Sequence, residues 1–217
     1  MLSKRHSKQG FGSYGFTVLE LLVSTLVFSV VLLVITAGII AFTRQYYHGV
    51  INSRTQATTR AIMAELTQSL QFGRTVNLGL VNGSANGFCI DNKLFSYVTG
   101  QQVESSPDTT QHQNYQGFVE NNNGGTCSAT SGSSLSVPAT AVLPSGEREL
   151  LGDHMRLGDL TIQPTAGGLY RVHLRVIYGT DDLLSSTNWA TAVCKGGSGS
   201  QFCSVSELTT TVQQRLE

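Results

Sequence analysis

The sequence predicts an α+β protein. One long N-terminal α-helix, membrane-spanning over its first half, packs its second half on a small antiparallel β-sheet head. Three observations predict this. Residues 21–42 form 22 consecutive uncharged, mostly apolar residues. A helical pattern continues from there to about Phe72 without a proline. The remaining chain turns to glycine, serine, threonine and asparagine between short apolar runs. Whole-chain averages agree: 13% of the 217 residues are charged, about half the roughly 25% of a soluble globular protein. The 14 Lys and Arg balance 14 Asp and Glu, which argues against a nucleic-acid binder that works by neutralising phosphates.

The N-terminal 15 residues carry Lys4, Arg5 and Lys8 and no acid. Residues 16–42 follow with Glu20 as their single charge. About 20 apolar residues cross the roughly 30 Å hydrocarbon core of a bilayer, so this run is long enough to span one. Basic residues just before it predict an N-terminus on the cytoplasmic side and an outer head. The apolar run is longer than the roughly 7–15 residues of a secretory signal, and no A-x-A-like site follows. A carboxylate one turn inside such a run costs about 2.5–3.5 kcal/mol on insertion scales and usually marks function. The plainer reading is that Glu20 snorkels to the inner headgroups.

Residues 43–72 continue the helix. Tyr47, Val50, Ile51, Ala57, Ala61, Ile62, Leu66 and Leu70 recur mostly at three- and four-residue steps, an amphipathic stripe. A helix over 16–72 is about 85 Å long at 1.5 Å per residue, too long to be buried by one compact domain. Its first half must therefore be covered by membrane or by other subunits.

The head, residues 73–217, holds 18 of the 23 glycines. Strands are expected at 87–98, 115–120, 157–163, 169–178, 187–193 and 208–213. The clearest is 169–178, where Val172, Leu174, Val176 and Tyr178 alternate with Arg171, His173 and Arg175, the pattern of a half-buried antiparallel strand. Thr165-Ala166-Gly167-Gly168 predicts a hairpin turn joining it to Leu160-Thr161-Ile162. Residues 121–138 read as a low-complexity loop.

The junction Ser13-Tyr14-Gly15-Phe16-Thr17-Val18-Leu19-Glu20-Leu21-Leu22 joins a basic leader to an unbroken apolar helix. With its Gly-Phe pair and a Glu five residues past Gly15, it resembles the prepilin signature of type IV pilins and type II secretion pseudopilins. The run from Leu150 to Gly179, with LTTTVQQR near the end, resembles the C-terminal sheet of minor pilins as a pattern of strands. The resemblance implies cleavage after Gly15 by a membrane-embedded prepilin peptidase and N-methylation of Phe16. It also implies that Glu20 meets the N-terminal amine of a neighbouring subunit during assembly. A second Gly-Phe pair, Gly10-Phe11, would place Gly15 where the acid is needed, so cleavage is expected at Gly15. Many pilins carry a helix-breaking proline where this chain has Ala37, followed by Gly38. The partners implied are other pilin subunits, the peptidase, an inner-membrane assembly platform and, before assembly, membrane lipid. No cofactor and no metal is implied, and the role is structural.

Cys89, Cys127, Cys194 and Cys203 all lie in the predicted outer segment, where disulfides persist. Three connectivities are possible. The favoured pairs are Cys194–Cys203, closing KGGSGSQF, and Cys89–Cys127, stapling the long polar loop. A four-thiolate zinc site is the alternative, although no C-x-x-C is present. The five histidines are scattered, and Asp153-His154 and Asp181-Asp182 read as turn residues. Gly10, Gly12 and Gly15 match G-x-G-x-x-G, but without the preceding strand a dinucleotide site requires. Asn82-Gly83-Ser84 matches a sequon of low specificity. Residues 75–217 carry seven Lys and Arg against twelve Asp and Glu, which disfavours generic DNA capture. A filament-tip adhesin or an uncleaved membrane-anchored ectodomain are the other readings.

Overall fold

The computed structural model describes residues 15–82, 85–104, 116–122, 146–197 and 199–215. The fold is α+β, as the residue pattern predicts. The chain divides into two units, Met1–Arg44 and Gln45–Glu217. Helix α1, Val18–Phe72, contributes to both and runs 55 residues without interruption. Gly38 and Gly49 lie within it, each in open space.

In the first unit every residue from 15 to 44 is exposed. The polar side chains there are satisfied locally. Thr25 Oγ1 donates to Leu22 O (3.0 Å), Ser29 Oγ to Thr25 O (2.8 Å) and Thr36 Oγ1 to Leu32 O (2.7 Å). Such back-bonding lets hydroxyls sit on an apolar helix without an orphaned donor.

In the second unit α1 buries Ile51, Thr55, Thr59, Ile62, Met63, Leu66 and Leu70. This corrects the predicted stripe: Ala57 and Ala61 face outward, while Thr55 and Thr59 face the core. Their hydroxyls donate to Ile51 O (2.8 Å) and Thr55 O (2.7 Å). With the hydroxyl satisfied inside the helix, each threonine packs through its methyl group.

The described residues of the head form two antiparallel sheets, where one small sheet was expected. The first is a meander in the order β1 (Val76–Asn82), β2 (Ala85–Ile90), β3 (Lys93–Tyr97), β4 (Phe118–Asn121) and β5 (Glu147–Glu149). The second orders β6 (Met155–Thr165), β7 (Leu169–Tyr178) and β8 (Ser204–Gln213). The predicted hairpin holds in register, with Leu160 opposite Leu174 and Ile162 opposite Val172. Gly167 and Gly168 turn it at φ of +82° and +72°, a conformation glycine adopts without steric cost.

Two strand expectations need correction, and two strands are additional. The predicted strand 87–98 is two strands, broken where Asp91 adopts φ +51°. The Asp91 carboxylate pins that turn by accepting from the backbone N–H of Arg74 (2.8 Å) and of Thr75 (2.9 Å). Residues 187–193 form no strand: a turn occupies 189–191, where Asn188 O accepts from both Thr191 N and Ala192 N. β1 and β5 were not anticipated; β1 carries a bulge at Gly79 and β5 is three residues long. Most of the expected 121–138 loop lies outside the described residues.

Leu66 and Leu70 of α1, Phe88, Phe95 and Phe118 of the first sheet, and Leu157, Val172, Leu174 and Val176 of the second share one core. Phe88 and Phe95 stack at 4.9 Å. The sheets are tied by Gly100 N donating to Leu157 O (2.8 Å) and Val103 N to Met155 O (2.9 Å). Leu66 is fully buried at the centre. We expect Leu66→Ala to destabilise the head by about 3 kcal/mol through lost packing and an unfilled cavity, measured by denaturant unfolding of the detergent-solubilised chain. A change below about 1 kcal/mol would refute this packing role.

Candidate functional site

At the N-terminal junction, Gly15, Phe16 and Thr17 precede the first helical residue, Val18. Thr17 caps the helix. Its Oγ1 accepts from Glu20 N (3.3 Å), while Glu20 Oε2 accepts from Thr17 N (3.4 Å) and from Thr17 Oγ1 (3.5 Å). This reciprocal T-x-x-E arrangement is a capping box, and the acid also suits the positive end of the helix dipole. The motif was legible as Thr17…Glu20, yet the residues alone pointed to membrane depth and not to a cap. The contacts sit at the long end of hydrogen bonding, so the carboxylate is not consumed by its cap.

Among the described residues nothing requires Gly15 to be glycine. A Cβ built there meets nothing within 4 Å, and its φ is not positive. Phe16 is 78% exposed. From Phe16 to Phe42 the large apolar side chains cover the whole helix circumference and none is buried. α1 is long and apolar enough to cross a membrane, with its most apolar window entirely unburied.

In the head, Cys194 and Cys203 form a disulfide that closes the loop between them. Their sulfurs are therefore not available as zinc thiolates. Cys89 is also disulfide-bonded and buried with Ala85, Leu94 and Val119. Cys127, expected as its partner, lies outside the described residues. Among the described residues, no three His, Cys, Asp or Glu side chains group to hold a metal ion.

Comparisons with protein-family models, with curated proteins and with solved structures find no match to this chain. Its chemistry must therefore be read from its own geometry.

Among the described residues three charged clusters organise the head, none of them indicated by the sequence pattern. Glu120, fully buried on β4, is paired with Lys93 Nζ (2.9 Å) and Arg148. Glu65 of α1 meets the same cations at 2.7 Å and 3.4 Å. The hydrogen bond from Lys93 holds the Glu65 carboxyl below its ordinary range. Arg156 is 2% exposed. It donates to Gln102 Oε1 (2.9 Å), Gly179 O (2.9 Å) and Asp181, with the Trp189 ring 4.7 Å away. Asp181 thus pairs with Arg156, while His154 lies 3.4 Å from Asp153 at the surface.

The third cluster sits on the second sheet. His173 Nδ1 lies 2.9 Å from Asp159 Oδ2, and its Nε2 lies 3.0 Å from Glu207 Oε1. Both ring nitrogens face carboxylates, which leaves no free nitrogen to take a proton from a nucleophile. The arrangement is a charge ladder and not a catalytic pair. Glu207, then Asp159, raise the His173 pKa above its ordinary 6.5, and His173 lowers that of Glu207 below 4.5.

A raised imidazole stabilises the fold fully below 6.5 and loses that contribution as pH climbs through its folded value. A lowered carboxylate contributes above 4.5 and fades as pH falls through its folded value. The ladder is therefore strongest between 4.5 and 6.5. For half-exposed groups it is worth at most about 1 kcal/mol. We expect the melting-temperature difference between wild type and His173→Gln to be largest in that window and to shrink on either side. A flat difference from pH 4 to 9 would exclude the ladder.

Proposed function

We infer that this chain is a structural subunit, of minor-pilin or pseudopilin type, in a type IV pilus or a related secretion or DNA-uptake filament. In this reading the leader is removed after Gly15 and the new amine of Phe16 is methylated. The subunit waits in the inner membrane with its N-terminus cytoplasmic and its head outside. Residues 16–42 then pass from lipid into the helical core of the filament.

The observation that carries the reading is the pairing of a wholly uncovered apolar helix with a carboxylate at its first turn. The helix surface needs a non-aqueous environment. A carboxylate in that environment needs a cation, and among residues 16–42 there is none. Removing the leader creates one, the ammonium of Phe16, at the same depth. Pairing it with Glu20 of a neighbouring subunit would select register, since a subunit out of step leaves both charges unpaired. Gly15 supports the cleavage site, because nothing among the described residues requires glycine there.

The capping box favours a second reading, an uncleaved anchored ectodomain in which Glu20 serves its own helix. Glu20→Gln separates the two, because the amide oxygen can still accept from Thr17 N but carries no charge. We expect Glu20→Gln and Glu20→Ala to be processed normally and to fall at least tenfold in filament incorporation, scored by immunoblot of sheared filaments. Wild-type incorporation of Glu20→Gln would overturn the pairing role. We expect Gly15→Ala to retain the 15-residue leader by mass spectrometry of the N-terminus. A wild-type chain that still begins at Met1 in cells with active prepilin peptidase would leave the anchored ectodomain.

A further inference from the structure

The uncharged run ends at Phe42, and the head first buries α1 at Ile51. Between them Tyr46, Tyr47 and Val50 are 60%, 46% and 45% exposed. A third ring joins this stretch from the far end of the sequence. Phe202 is 43% exposed, and its ring lies 5.8 Å from that of Tyr47, which lies 6.1 Å from Tyr46. Phe202 ends the 3-10 turn Ser200–Phe202 and adjoins Cys203, whose disulfide to Cys194 anchors the turn. The other loop residues between those cysteines are glycine and polar, so Phe202 is the apolar side chain this loop presents.

We propose that Tyr46, Tyr47, Val50 and Phe202 form a collar that seats the head on the lipid–water interface. The proposal rests on the reading that residues 21–42 span a bilayer, and it adds a contact for the head itself. Depth supports it. Tyr46 follows Phe42 by four residues, about 6 Å of helix, and the headgroup layer flanking the hydrocarbon core is about 5–8 Å thick on each side. Residue chemistry supports it as well. A phenol places an apolar ring below a hydroxyl that stays wet, which is why aromatic side chains gather at membrane boundaries. Arg44, between Phe42 and Tyr46, supplies a cation at phosphate level. A second copy of the chain is the poorer occupant, because three rings and one valine fall well short of the roughly 800 Å² per partner of a stable interface.

The test uses the full chain reconstituted in phosphatidylcholine vesicles, with Trp189, the single native tryptophan, as background. Phe202→Trp and, separately, Tyr47→Trp each add one fluorophore to the collar. Leu33→Trp adds one to the middle of the apolar run. A cooperative melting transition close to that of wild type confirms that each variant is folded.

We expect the added emission at 202 or 47 to fall by about half in vesicles brominated near the acyl carbonyls. It should fall far less in vesicles brominated near the chain ends, where Leu33→Trp is quenched instead. Quenching at 33 with none at 47 or 202 overturns the collar and leaves the span standing. Emission at 202 that tracks protein concentration and not bromination overturns it in favour of a contact between copies. Absence of quenching at all three positions overturns the spanning reading, and the collar with it.

Discussion

An apolar helix surface that no other described residue buries is the constraint on which the rest depends. Residues 16–42 expose large aliphatic and aromatic side chains around the full circumference of α1. At about 25 cal/mol per Å² of apolar surface, that much hydrocarbon cannot be left in water. The helix backbone satisfies its own hydrogen bonds, and the threonine and serine hydroxyls satisfy theirs within one turn. The segment is therefore compatible with lipid or with the apolar flanks of other helices, and with little else. Glu20 is the exception that restricts the choice, because a carboxylate among such side chains favours an environment that supplies a cation.

The second half of α1 meets the opposite demand, since it must hold a head of short strands and long connections. It does so with one core and one charge network. Leu66 and Leu70 enter a core shared by both sheets, and Glu65, one residue away, reaches the Lys93–Glu120–Arg148 cluster of the first sheet. Glu120 is fully buried, so removing its cations would strand a charge. The ion network thus fixes which face of α1 meets the first sheet, while the leucines supply the apolar driving force.

The loop from Cys194 to Cys203 is held twice. The disulfide closes it, and Arg156 holds its approach through Trp189 and Asp181. Gly100 completes the node: at φ +82°, its missing Cβ is the space that Trp189 fills. A rigid loop can present an apolar residue such as Phe202 at a defined place, which a mobile Gly/Ser loop cannot.

Features that depend on neighbours in sequence were legible in it. The apolar run follows from 22 consecutive uncharged residues, its helical continuation to Phe72 from three- and four-residue steps, and strand β7 from two-residue alternation. The β6–β7 hairpin follows from Gly167-Gly168, and the Cys194–Cys203 pairing from a short polar loop between two cysteines. The fold class rests on those signals, and so does the oddness of Glu20, whose setting is its own apolar flank. What the tertiary structure decided are the places where distant segments meet. Thr55 and Thr59 face the core in place of Ala57 and Ala61. The expected 87–98 strand breaks because Asp91 is wanted by Arg74 and Thr75, and Glu120 and Arg156 are buried beside charged and polar partners up to 56 residues away. Burying a polar group depends on the hydrogen bonds waiting at its destination, and a residue's own neighbours in the chain do not reveal that destination.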